Sequence, residues 1–241
     1  MNAGARAPVA TAASALDRDD LGAALDERGF ARIPGLLDEA TCTALAATYD
    51  EEDQFRSRVV MARHNFGRGE YCYFAYPLPP PIARLRAALY PPLAAIANTW
   101  AARLGLSRTY PATLEAYLAH CHAAGQQRPT PLLLRYGAGD YNCLHRDLYG
   151  EEVFPLQVAI LLSAPGRDFS GGEFVLTEQR PRMQSRVSVV ALGQGDAVVF
   201  AVDARPVRGT RGDYRVQLRH GVSEVTAGHR HVLGLIFHDA T

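Results

Sequence analysis

PLLLRYGAGDYNCLHRD, residues 131–147, is the stretch on which the reading of this chain turns. An apolar run, Leu132 to Leu134, enters a turn punctuated by Gly137 and Gly139, and a second extended run leaves it. Side chains alternate along a strand, so His145 and Asp147 are expected on one face and Arg146 on the other. An imidazole beside a carboxylate makes two of the three ligands of a facial metal site, and one more His must complete it. By itself the tripeptide equally describes a strand-end His beside a solvated Asp.

Outward from this stretch the texture is β to the C-terminus. Runs at 131–136, 141–147, 155–163, 172–177, 187–192, 197–202, 214–220 and 231–237 are separated by turns marked with Gly or Pro. Eight such strands predict a jelly roll, that is, a double-stranded β-helix. The preceding residues read as helical. Leu21, Ala24 and Leu25 share a helical face closed by Gly29, and Asp38 caps a helix with Cys42, Leu45 and Tyr49 inside. Phe30 to Ile33 is strand-like. Residues 55–76 read as an irregular segment rich in Arg and aromatics. A helix with Ile82, Leu85 and Leu89 on one face is expected to break at Pro91-Pro92 and to resume with Leu93, Ile96, Trp100 and Leu104. Another helix is expected over 112–123. The expected class is mainly β with flanking helices (α+β), in one integrated domain: a flexible tail at 1–15, helical support over 16–125 and a β-helix core over 126–241.

The third ligand should lie on a strand near the far end of the roll, and His220 closes the strand that begins at Tyr214. His231 is its competitor, but only His220 is followed ten residues later by Arg, at Arg230. His120 and His122 flank Cys121 on a helix, where successive side chains diverge.

His145-x-Asp147, His220 and Arg230 in this order resemble the signature of the Fe(II)/2-oxoglutarate dioxygenases. The stretch from His220 through Val225 to Gly228-His229-Arg230 resembles their prolyl-hydroxylase branch. Arg135-Tyr136-x-x-Gly139 with Leu144-His145-x-Asp147 is similar to the alkylation-repair branch, although Leu134 stands where that branch carries an amide. The whole chain resembles a bacterial oxygenase family linked to damaged nucleic acid. The resemblance implies Fe(II) held by His145, Asp147 and His220, with 2-oxoglutarate and O2 at the open positions. It also implies Arg230 as the fork for the distal carboxylate of 2-oxoglutarate and Tyr136 as a second cosubstrate contact. The implied reaction couples oxidative decarboxylation to hydroxylation of a C–H bond, foremost the demethylation of alkylated nucleobases in DNA. The alternatives are a protein side-chain (prolyl-type) or metabolite hydroxylase and a cupin-like metal-binding protein. Gly171-Gly172 resembles a strand start of the superfamily and equally an ordinary turn.

Composition bounds the partners. A chain of 241 residues with 48% hydrophobic and 21% charged residues is globular. Formal charge is zero, so no polyanion partner follows from the whole. The bias is local: loops 55–70, 178–186 and 203–215 together carry eleven Arg against four acids, and Arg is the chain's only cation beside His. If these loops rim the mouth, Arg56, Arg58, Arg63 and Arg68 suit phosphates, while Phe66 and Tyr73 suit an unstacked base. Alkylated DNA or another phosphate-bearing substrate is the expected partner, with no obligate protein partner inferable. Four Cys without C-x-x-C pairing, no secretory signal and no apolar run long enough to span a bilayer lead us to expect a cytoplasmic protein without a membrane anchor.

Overall fold

The computed structural model describes residues 18–148 and 150–241, and the tail expected at 1–15 lies outside them. Helix α1 (Arg18–Arg28) ends where expected: Gly29 takes φ 79° and its N–H donates to the Leu25 carbonyl at 2.8 Å. Strand β1 (Phe30–Ile33) follows, then α2 (Glu39–Ala47), whose first turn is capped by the Asp38 carboxylate accepting from the Thr41 N–H at 2.7 Å.

Residues 55–76 are not irregular. They form β2 (Phe55–Val60), a 3-10 turn over Met61–His64, β3 (Gly67–Arg68) and β4 (Glu70–Phe74). Along β4, Cys72 and Phe74 are buried on one side while Tyr71 and Tyr73 line a cavity on the other. With both faces covered, the strand shows no polar–apolar alternation to betray it.

The break at Pro91-Pro92 is absent as well. Helix α3 runs unbroken from Pro80 to Arg103. Two prolines remove two N–H donors, but Leu85, Leu89, Leu93, Ala97 and Trp100 continue one buried stripe across the site, and packing holds the helix together. Helix α4 (Leu114–Ala123) completes the helical layer.

All eight expected β runs are present: β5 (Leu132–Tyr136), β6 (Tyr141–His145), β7 (Leu156–Leu161), β9 (Phe174–Gln179), β10 (Arg186–Val190), β11 (Ala197–Ala201), β13 (Gly212–Val222) and β15 (Arg230–Leu235). Short strands β8 (Phe169–Gly171), β12 (Ala204–Gly209) and β14 (Val225–Gly228) join them. One sheet has the order β1-β11-β7-β15-β5-β4-β2, and the second has β10-β9-β13-β6-β3 with β12 on β13. The protein is mostly antiparallel sheet, in a jelly roll with flanking helices. Its N-terminal half donates β1, β2 and β4 to the large sheet as well as helices. Leu133, Leu233 and Leu235 join Leu85, Leu89 and Tyr90 of α3 in one core on the helix-covered face of that sheet. The opposite face looks across to the second sheet. No helix among the described residues is long and apolar enough to cross a membrane.

Candidate metal centre and its pocket

The cavity between the sheets has a volume of about 280 Å³. Its wall is largely apolar, with Leu132, Leu134, Val158, Phe174, Phe200 and Val232 contributing. At one end the antiparallel register sets His220 of β13 directly opposite His145 of β6. Their rings lie 4.2 Å apart, centroid to centroid. The expected alternation does not deliver Asp147, because β6 ends at His145. Asp147 reaches the site from the segment beyond the strand, with its Oδ1 3.4 Å from His145 Nε2 and its Oδ2 3.4 Å from His220 Nε2.

One donor atom from each of the three residues lies within 4.8 Å of the others, so they could hold a metal ion. The donor set fits. His145 Nδ1 faces the Cys143 carbonyl at 2.7 Å, and since a carbonyl only accepts, Nδ1 carries the proton. That leaves the Nε2 lone pair aimed at a carboxylate oxygen, an arrangement that calls for a cation between them. Protonation answers the same need. Burial disfavours charge on His145, but the bond and charge of Asp147 outweigh it and raise its pKa. Burial of His220 is decisive in the other direction and lowers its pKa despite Asp147. Burial pushes the Asp147 carboxyl up, yet the two imidazoles hold it well below the ordinary carboxylate range.

Arg230 opens β15 in register with Tyr136 of β5, and both line the cavity. Arg230 is 2% exposed, and its Nε and Nη1 have no hydrogen-bond partner among the described residues. Burial pushes its pKa down to about 10, against the pull of Tyr136 and Glu173. Buried guanidinium N–H groups without an acceptor are costly even over the Tyr136 and Phe169 rings, and an anion in the cavity would relieve them. Behind it lies Gly172 at φ 65°, where a Cβ would sit 2.9 Å from Arg230 Cδ, so the glycine lets the backbone pack on the arginine stem. Tyr136 is fully buried, burial raises its pKa, and its hydroxyl accepts from Asn142 Nδ2 at 3.4 Å.

The substrate candidates divide. Phe66 and Tyr73 line the cavity, with Phe66 44% exposed at its mouth and stacked on His64 at 5.3 Å. The four arginines do not line it. Arg56 stands behind Tyr73, 4.5 Å from the ring, and donates to the Pro129 carbonyl. Arg58 lies over Tyr49 and bonds Glu70 on the far side of the sheet. Arg63 and Arg68 are exposed in and beside the turn that carries Phe66. No residue of 178–186 or 203–215 lines the cavity, and Arg205 is buried in an ion pair with Glu178 at 2.6 Å. His231 faces away from the site, edge-on to Tyr49.

Tyr71, Asn142 and Arg146 are among the cavity residues that escaped the sequence reading. Tyr71 precedes Tyr73 by two, the strand spacing, and that signal was available. Asn142 donates from its amide to the Tyr136 hydroxyl. Its position depends on a register shift between β13 and β6 that no local pattern encodes.

The sequence profile of the Oxygenase-NA family, described as an oxygenase catalysing oxidative methylation of damaged DNA, matches residues 69–240. An uncharacterised protein of Mycobacterium tuberculosis strain CDC 1551 is 54% identical over 167 residues, 69% of this chain and 72% of its own. Among solved structures, a Burkholderia pseudomallei oxidoreductase of the 2OG-Fe(II) oxygenase family superposes with a TM-score of 0.55 at 17% identity, covering 94% of each chain. A Pseudomonas putida prolyl-4-hydroxylase gives 0.52 at 14% identity over 93% of this chain and 99% of its own. At such identities these two likenesses establish the fold. The chain belongs to the Oxygenase-NA family of oxygenases, with a fold like that of the 2OG-Fe(II) oxygenase from Burkholderia pseudomallei and a His-Asp-His cluster that could hold a metal ion.

Proposed function

We propose that His145, Asp147 and His220 hold iron(II), that Arg230 and Tyr136 receive the far carboxylate of 2-oxoglutarate, and that the substrate is an alkylated nucleobase in DNA. The observation that carries this reading is Arg230, whose buried, unpaired N–H groups share one cavity with the triad. A structural metal alone would need no such cation. When bound, iron(II) and 2-oxoglutarate supply dioxygen activation for C–H hydroxylation, with release of succinate and carbon dioxide.

The chain's own residues do the rest. Asp147 is already ionised and His220 neutral, so neither waits for a proton to leave before serving as ligand. Arg230 fixes the cosubstrate by a charge-assisted fork, and Tyr136 adds a hydroxyl oriented by Asn142. The apolar wall keeps water from the reacting centre. Tyr71 and Tyr73, with ring centroids 5.4 Å apart and edge to face, offer a planar ring two surfaces near the triad, and Phe66 offers a third at the mouth. The family description supports damaged DNA as the class of substrate.

The test is succinate formation with methylated oligonucleotides, proline-containing peptides and a metabolite panel in parallel. The reading expects stimulation by the methylated strand, with formaldehyde released as the hydroxylated N-methyl group departs, and loss of both products in Asp147→Ala. Stimulation by a peptide alone would transfer the site to the hydroxylases.

A further inference from the structure

The ladder that positions His145 stops there: its pairing with His220 is the last between β6 and β13, and residues 146–148 belong to no strand. Asp147 nonetheless meets both imidazoles at equal distance. A second connection is present. Arg146 Nη1 donates to Asp203 Oδ1 at 2.6 Å, from one part-buried side chain to another. Asp203 lies between β11 and β12, and its carbonyl accepts from the Leu218 N–H at 2.7 Å. Leu218 belongs to β13, two residues before His220. The ion pair thus closes a circuit: from His145 through Arg146 to Asp203, from there to Leu218, and back along β13 to His220. Asp147 is the residue next to the tethered one.

We infer that Arg146 and Asp203 are positioning residues, which hold the Asp147 carboxylate against the two histidines by tying its segment to the strand that bears His220. The inference rests on the metal-site reading above. Two competing accounts give opposite or different signs. Arg146 is a cation beside a cation site, so by Coulomb's law alone its removal should tighten metal binding. As a substrate contact, which its place on the cavity wall allows, it should leave binding of the metal alone unchanged. Positioning predicts loosening, because a ligand held less firmly in place binds less well.

The experiment titrates apoprotein with Mn2+ and counts free ion by its electron paramagnetic resonance signal, without 2-oxoglutarate or substrate. Arg146→Met and Asp203→Asn are each expected to weaken Mn2+ binding by roughly tenfold. The double variant should be no weaker than the weaker single, since both remove one link. Asp203→Asn keeps the shape of the side chain and carries the test alone if Arg146→Met does not fold. Wild-type or tighter Mn2+ binding in either folded variant, or losses that multiply in the double, would overturn the inference while leaving the triad in place. A wild-type protein that binds no Mn2+ would overturn the metal-site reading, and this inference with it.

Discussion

At the scale of single residues, the site is built from groups whose solitary state is unfavourable. Arg230 is the clearest. Without an anion its buried donors are unmet, so Arg230→Met should leave thermal stability of the protein alone unchanged or raise it. The same variant should lose roughly 2–4 kcal/mol of 2-oxoglutarate affinity, a factor of about 30 to 1000. Calorimetric titration and thermal melts on one preparation read both, and equal affinity in the variant would move the anchor elsewhere. His238 is buried and unfavourable in a different sense: burial first, then Arg86, lowers its pKa to about 4. Below the ordinary histidine value of about 6.5 the unfolded chain takes up a proton that the folded chain refuses, so stability falls as pH drops toward 4. The contribution between pH 7 and pH 5 is about 2 kcal/mol. In urea titrations, His238→Asn, which preserves an acceptor for the Phe154 N–H, should lose that part of the acid slope. That His145, Asp147 and His220 come together, with Arg230 on the same cavity, was legible in sequence from their residue types and order. The arginines were not. A guanidinium finds partners through the fold, such as the Pro129 carbonyl for Arg56 and Glu70 for Arg58, and no local spacing announces them.

Among the elements, the β half was readable because alternation and Gly-marked turns agree, whereas two errors share one cause. Both β4 and α3 are governed by what covers them. The pattern of β4 was lost because core and cavity bury opposite faces, and α3 survives two prolines because its apolar stripe is long. Since packing and not backbone bonding sustains the middle of α3, restoring a donor there should help. Pro91 is exposed, and Pro91→Ala should raise the unfolding free energy by about 1–2 kcal/mol after allowing for the looser unfolded chain. A urea midpoint that falls instead would mean that the proline ring sets a bend the packing needs. Asp147 teaches the complementary lesson. The spacing put Asp147 beside both histidines, where it lies, although the strand ends before it and a side-chain ion pair at Arg146 succeeds the ladder.

For the molecule as a whole, net charge is zero and the question is where cations stand free. Arg63 and Arg68 are exposed beside the mouth, while Arg58 is paired on the far side of the large sheet. Oligonucleotide binding should weaken with salt, and Arg63→Ala with Arg68→Ala should flatten the logarithmic slope by about two units if both meet phosphate. Arg58→Ala should leave it unchanged. Anisotropy titrations at several salt concentrations decide, and an absence of binding at low salt would remove DNA from the reading. That partition was invisible in the sequence, where all four arginines look alike. A last consequence follows from sheet order. Strand β15 is the final strand in sequence yet sits between β7 and β5, with strands on both sides, and it delivers Arg230. The large sheet therefore stays split until the strand that ends at Leu235 is laid between β7 and β5. On the reading proposed above, the three donors lack a finished pocket until that strand arrives, so the chemistry cannot begin on a chain whose large sheet is still open.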